Sequence, residues 1–212
     1  MDQPHARRAT WRLDARMQKR MQAAVVALLC FLMFLGLRPW FVQLGENRDA
    51  QVCQHHIMKI AAALRLYAED WDDTYPVAAS WMDAVRGNMG VTSGTGFKIE
   101  TYFQCPRDRS GSASSYAYNS LMSGINPGVL TKDSETEARR RRLRRPHNAA
   151  LVIERHRTPA NGSLPLEDWA SVQRAMTTPH RTPERSGFLI NGNGGVERKT
   201  AEQLASLAGR RF

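Results

Sequence analysis

The sequence predicts an α+β protein: a long N-terminal helix, membrane-anchoring in its first part and amphipathic in its second, packed on a small antiparallel sheet. Three observations carry this expectation. Ala23 to Leu37 contains no charged residue. Further on, Cys53, Ile57, Ile60, Leu64, Tyr67 and Trp71 follow at intervals of four, three, four, three and four, which puts them on one helical face. Short β-branched and aromatic segments punctuated by Gly, Pro and Asn come only after Pro76, and a helix followed by scattered strands is the α+β order.

Composition bounds the class. The chain has 212 residues, 42% hydrophobic and 24% charged, which excludes wholesale disorder and a polytopic membrane protein. No glycine or heptad repeat runs through it, so collagen-like and long coiled-coil architectures are excluded too. Lys+Arg 30 against Asp+Glu 20 leaves +10, suited to anionic neighbours such as phospholipid headgroups or nucleic acid. Three cysteines are too few for a disulfide scaffold and lack the paired C-x-x-C spacing of a zinc site.

Residues 1–22 read as a basic cytoplasmic tail, with Arg7, Arg8, Arg12, Arg16, Lys19 and Arg20 outweighing Asp2 and Asp14. Residues 23–44 read as a transmembrane helix. A bilayer core needs about 20 apolar residues, and beyond Leu37 the snorkelling Arg38 with Trp40, Phe41 and Val42 extends the run into an interfacial belt. Gly36-Leu-Arg-Pro39 supplies no small-residue cleavage site, so the segment reads as an uncleaved anchor. The charge asymmetry puts the N-terminus in the cytoplasm and the bulk of the chain across the inner membrane, in the periplasm or outside the cell. Gly36, Pro39 and Gly45 are expected to bend or interrupt the helix. The amphipathic helix then spans 51–75, ended by Tyr75-Pro76.

Residues 76–200 read as a globular α+β head, and 201–212 as a C-terminal tail. Trp81 to Val85 gives one or two helical turns, and Ile99–Phe103 and Ser115–Tyr118 short strands. Glu135–Arg145 gives a charged helical stretch, and Ala149–Glu154 the strongest strand. Phe188–Ile190, Asn191-Gly-Asn-Gly-Gly195 and Val196-Glu197 form a hairpin whose Asn-Gly steps supply positive φ.

Cys53 to Pro76, with Tyr-Ala-Glu-Asp before Tyr75-Pro76, resembles the bacterial type IV pilin-like proteins of the type II secretion pseudopilin group. Phe103-Gln-Cys-Pro106 and Ser115-Tyr116-Ala-Tyr-Asn119 are similar to that family's Phe-x-Cys-Pro and Ser-Tyr-x-x-Asn segments. Asn148–Glu154 and His180–Val196 look like its C-terminal part, and the likeness covers roughly residues 23–196. It implies a pilin-like fold and a non-enzymatic, membrane-anchored structural subunit. Its partners would be membrane lipid, other pilin-like subunits or secretion-platform proteins, and no cofactor is expected. The departures are specific. Arg20-Met-Gln-Ala-Ala-Val-Val26 has neither the Gly nor the Glu of the prepilin processing site, so no cleavage is expected there, and Asn193-Gly194-Gly195 replaces Asp-Gly-His.

Outside the membrane, Cys53 and Cys105 either form a bridge or remain two buried thiols; a bridge closing about fifty residues contributes about 4 kcal/mol through loop entropy. Cys30 sits within the apolar run as a packing residue. Glu69, Asp70, Asp72 and Asp73 crowd a helix C-terminus, where the dipole disfavours anions, so a cation should compensate. Asp70 and Asp72 are weak calcium candidates, because Tyr75 and Trp81 stand where an EF-hand needs Gly and Glu. Arg139, Arg140, Arg141, Arg142, Arg144 and Arg145 suit an anionic partner and supply the alternative function, a membrane-anchored nucleic-acid-binding component of DNA-uptake type. Without interleaved aromatics that alternative ranks second. His55 and His56 diverge by about 100° on a helix and cannot ligate as a pair. Glu154 and His156 share a strand face, with His180 a third ligand only if the fold brings it near. No nucleophile elbow or triad spacing is present, so no catalytic residue is expected.

Overall fold

The computed structural model describes residues 15–90, 98–126, 138, 141, 143, 146–180, 185–208 and 210. The chain divides into two compact units, residues 1–44 and 45–212, and helix α1 (Ala15–Asp70) contributes to both. The single long N-terminal helix is present as expected, but the interruption expected at Gly36, Pro39 and Gly45 does not occur: Pro39 lies inside α1. Proline deletes one backbone donor and crowds one carbonyl, and the apolar side chains of this stretch still favour helix on both sides of it.

In the first unit the described side chains of α1 are exposed all round, among them Val25, Leu28, Phe31, Leu32, Met33, Phe34, Trp40 and Phe41. From residue 45 onward α1 becomes one-sided. Cys53, Ile57, Ile60 and Leu64 are fully buried, while Met58 and Leu66 face solvent. Trp71 does not join this stripe. It is 61% exposed, because α1 ends at Asp70 and Trp71 belongs to the following turn, stacked on the half-buried Tyr67 at 5.7 Å. The terminator is not Tyr75-Pro76 but Asp72 and Asp73, whose φ values of 50° and 57° are left-handed. The Asp73 N–H closes the helix end on the Ala68 carbonyl at 2.8 Å.

The head carries α2 (Trp81–Arg86), β1 (Ser114–Asn119), β2 (Ala150–Thr158), β3 (Ser163–Leu164), α3 (Trp169–Ala175), β4 (Ser186–Asn191), β5 (Val196–Thr200) and α4 (Ala201–Leu207). The five strands make one sheet in the order β3-β1-β2-β4-β5. All pairs are antiparallel except β1 with β3, so the sheet is mixed rather than antiparallel. The short turn after Thr158 reverses the chain, and the open edge it reaches is that of β1, where Tyr118 pairs with Ser163. All of β1 and the first five residues of both β2 and β4 are buried, so both faces of the central strands are covered.

Two further expectations are corrected. Ile99–Phe103 is a 3-10 helix that buries only Phe103, not a strand. Residues 201–207 are not tail: Thr200 and Gln203 form a capping box for α4, which buries Leu204. The rest of the core joins the α1 stripe to Trp81, Tyr116, Tyr118, Leu151, Phe188 and Ile190. Trp81 stacks on Tyr118 at 5.6 Å and meets Phe103 edge-on at 5.7 Å.

Candidate functional site

Four polar or sulfur side chains, from α1, the loop after residue 103, β2 and the segment before β4, converge in the core. Cys53 and Cys105 are bonded as a disulfide, with Cα atoms 5.3 Å apart, tying α1 to the loop after residue 103. His180 Nε2 stands 3.9 Å from Cys105 Sγ and 3.2 Å from Glu154 Oε1. The second Glu154 oxygen accepts the Phe188 N–H at 3.1 Å. His156 Nε2 approaches Glu154 Oε1 to 3.5 Å and has no hydrogen-bond partner, nor does His180 Nδ1. A buried carboxylate costs several kcal/mol unless paired, and Glu154 meets that cost with one imidazole N–H, one backbone N–H and a second imidazole alongside. Its charge also helps desolvation keep the fully buried Tyr116 phenol neutral, well above the ordinary tyrosine range, desolvation being the larger cause.

The local sequence explains the convergence. Glu154 points inward from the middle of β2, between β1 and β4. His180 pairs across an isolated bridge with Ser186, which brings it in beside β4. Gly187 makes room: a Cβ there would collide with the Thr177 carbonyl oxygen and the Met176 side chain, 3.4 Å from Glu154 Oε2. Cys105 is held by its loop. Its N–H donates to Ser115 Oγ at 2.9 Å, and its carbonyl accepts from the Asp108 N–H at 2.8 Å.

Asp108 organises that loop. Its carboxylate accepts from the Ser110 N–H (3.1 Å), Ser112 Oγ (3.1 Å), Ser115 Oγ (2.9 Å) and the Arg157 N–H (3.2 Å). Partial burial pushes the Asp108 carboxyl up, but the hydrogen bonds from Ser110, Arg157 and Ser115 outweigh it and hold the group well below the usual carboxylate range. Arg157 has φ of 62°, and the Asp108 contact fixes its N–H in that left-handed conformation. Arg107 binds Glu46 at 3.2 Å and Asp49 at 3.7 Å, a second tie from this loop to α1.

The residues of the pilin-like motifs lie in the frame around the cluster. The Tyr75 hydroxyl donates to the Gly192 carbonyl at 2.8 Å, and the Tyr118 hydroxyl to the Pro76 carbonyl at 3.0 Å. The Tyr116 hydroxyl reaches the Cys53 carbonyl at 3.5 Å, and Pro106 begins the turn after Cys105. Asn119 is buried and fully used. Its Nδ2 donates to the Ala150 and Leu166 carbonyls at 2.8 and 3.0 Å, and its Oδ1 accepts the Leu121 and Leu166 N–H groups.

The other candidate residues lie apart. His56 Nδ1 faces the Gln104 carbonyl at 2.9 Å; burial pulls its pKa below the ordinary imidazole value, against the opposing effect of that carbonyl. Of the arginine run, Arg141 is exposed, whereas Arg139, Arg140, Arg142, Arg144 and Arg145 fall outside the described residues. Asp70 and Asp72 are exposed at the end of α1. Among the described residues, the one group of three or more His, Cys, Asp or Glu whose ligand atoms come together is Cys53, Cys105, Glu154 and His180, all within 4.8 Å of one another. Sequence spacing contains Glu154, His156 and His180 as candidates, but nothing in it signals that the two cysteines meet them. No protein family, curated protein or solved structure matches this chain.

Proposed function

We propose that the chain is a non-enzymatic, pilin-like structural subunit, anchored in the inner membrane by α1 with its N-terminus cytoplasmic and its head outside. It acts through helix packing in the membrane and head-domain contacts with secretion-platform proteins or other pilin-like subunits. The observation that carries this reading is the change of character along α1, apolar and exposed all round over residues 23–37, then one-sided and buried from Cys53 to Leu64. An apolar helix with no buried face is suited to lipid and to neighbouring helices, and one helix continuing into a sheet-bearing head fits a subunit whose anchor and head work together.

Cross-linking in membranes tests it. Single cysteines placed by Leu28→Cys, Leu29→Cys, Phe31→Cys and Leu32→Cys in a Cys30→Ala background, with Cys30 itself as a fifth probe, step round the helix by about 100° per residue. A packed subunit gives thiol cross-linked species larger than the monomer at positions sharing one face. Monomer alone at every position contradicts the proposal.

A further inference from the structure

A disulfide needs no carboxylate or imidazole against it, and a buried Glu–His pair needs no sulfur. In this core all four meet, from α1, the Cys105 loop, β2 and the bridge before β4, with exposures of 0, 2, 0 and 1%. We propose that reduction of the Cys53–Cys105 bond turns this cluster into a four-ligand zinc site, with Cys53 Sγ, Cys105 Sγ, His180 Nε2 and Glu154 as ligands.

The geometry is close to what zinc requires. Zn–S bonds of about 2.3 Å and Zn–N and Zn–O bonds of about 2.0 Å give tetrahedral ligand-to-ligand edges of about 3.3–3.8 Å. Two such edges already stand at 3.2 Å (His180 Nε2 to Glu154 Oε1) and 3.9 Å (His180 Nε2 to Cys105 Sγ). Only the covalent S–S bond keeps the sulfurs from ligating. Two thiolates with one imidazole and one carboxylate oxygen select zinc over magnesium or calcium, which require oxygen ligands. The remaining Glu154 oxygen keeps the Phe188 N–H, which orients the ligating carboxylate from the second layer.

The chemistry balances with a dithiol as reductant. It delivers two electrons and two protons, the S–S bond breaks, two S–H groups form, and the reductant closes to its own disulfide. Zinc then takes both sulfurs as thiolates and releases two protons to solvent, while the neutral His180 imidazole changes tautomer, its proton leaving Nε2, which binds the metal, and Nδ1 taking one up. The metal and the disulfide are therefore exclusive alternatives of one centre, and either one clips α1 to the sheet.

The full chain in detergent tests this, reduced anaerobically, freed of reductant and titrated with Co2+. The reduced protein is expected to bind one cobalt, with tetrahedral d–d bands and thiolate-to-cobalt charge transfer that Zn2+ abolishes by competition. The oxidised protein is expected to show neither. Glu154→Gln and His180→Ala should weaken binding by more than about tenfold. Zinc should shield Cys53 and Cys105 from alkylation while the exposed Cys30 reacts as before, an internal control read by mass on the unmutated chain. Absence of thiolate charge transfer overturns the proposal, whether or not the reduced chain keeps its helical circular dichroism. So does a wild-type cobalt spectrum in both variants, or alkylation of Cys53 and Cys105 that zinc leaves unchanged.

Discussion

Asn119 shows how single residues hold the head together. Its amide bonds β2 through Ala150 and the segment before α3 through Leu166, with no bonding capacity wasted. Asn119→Ala removes the partner of four backbone groups, the Leu121 and Leu166 N–H and the Ala150 and Leu166 carbonyls. At the lower end of about 1–3 kcal/mol for each such group, we expect about 4 kcal/mol of destabilisation and a thermal midpoint lowered by about 8–16 °C, read by near-ultraviolet circular dichroism. Asp108 sets an acid dependence. Its folded carboxyl titrates below its unfolded value, so its contribution is present above about pH 4 and is lost as pH falls towards the folded value. The wild-type midpoint should therefore fall more steeply between pH 5 and pH 2 than that of Asp108→Asn; parallel curves would contradict the hydrogen-bond account. His56 acts in the same direction at higher pH: its folded pKa is lowered, the unfolded chain binds the extra proton, and stability declines as pH falls below about 6.5. At this scale the sequence spoke unevenly. Tyr75, Tyr116 and Asn119 stood out by motif, but what each one bonds spans up to 117 positions of chain, as from Tyr75 to Gly192, and only the fold reveals it.

Among the elements, α1 was the most legible, because its pattern is local: a four–three spacing predicts the same face whatever covers it. That spacing held for Ile57, Ile60 and Leu64 and failed at Trp71, where two left-handed aspartates had already ended the helix. Helix termini depend on single φ values that apolar spacing does not report. The parallel β3 and the 3-10 turn at 99–103 were hidden for another reason: strand order and partner choice are tertiary, and two- to five-residue segments carry no period. The capping box Thr200-Ala-Glu-Gln203 was a readable signal that α4 begins there, ahead of the core residue Leu204. The one-sidedness of α1 has a direct test. Ile60→Ala is expected to cost about 2–5 kcal/mol, whereas Leu66→Ala, on the exposed face of the same helix, should stay within about 0.5 kcal/mol by urea unfolding. Equal costs for the two would mean that the stripe does not bear on the core.

For the whole molecule, composition and charge bounded the class but did not supply the buried Cys–Cys–His–Glu centre, since its members lie at positions 53, 105, 154 and 180 with no motif spacing between them. The membrane reading rests on different physics. Residues 17–44 are exposed over their whole length, including Leu28, Leu29, Phe31, Leu32, Met33 and Phe34, and an apolar surface of that extent on a water-soluble monomer would be an association hazard. The long helix is compatible with a single-pass anchor by length and composition. The most direct measurement is the partition of the full chain between membrane pellet and supernatant after alkaline carbonate extraction. We predict that it stays in the pellet and is released only by detergent; recovery in the carbonate supernatant without detergent would contradict an anchor that crosses the bilayer.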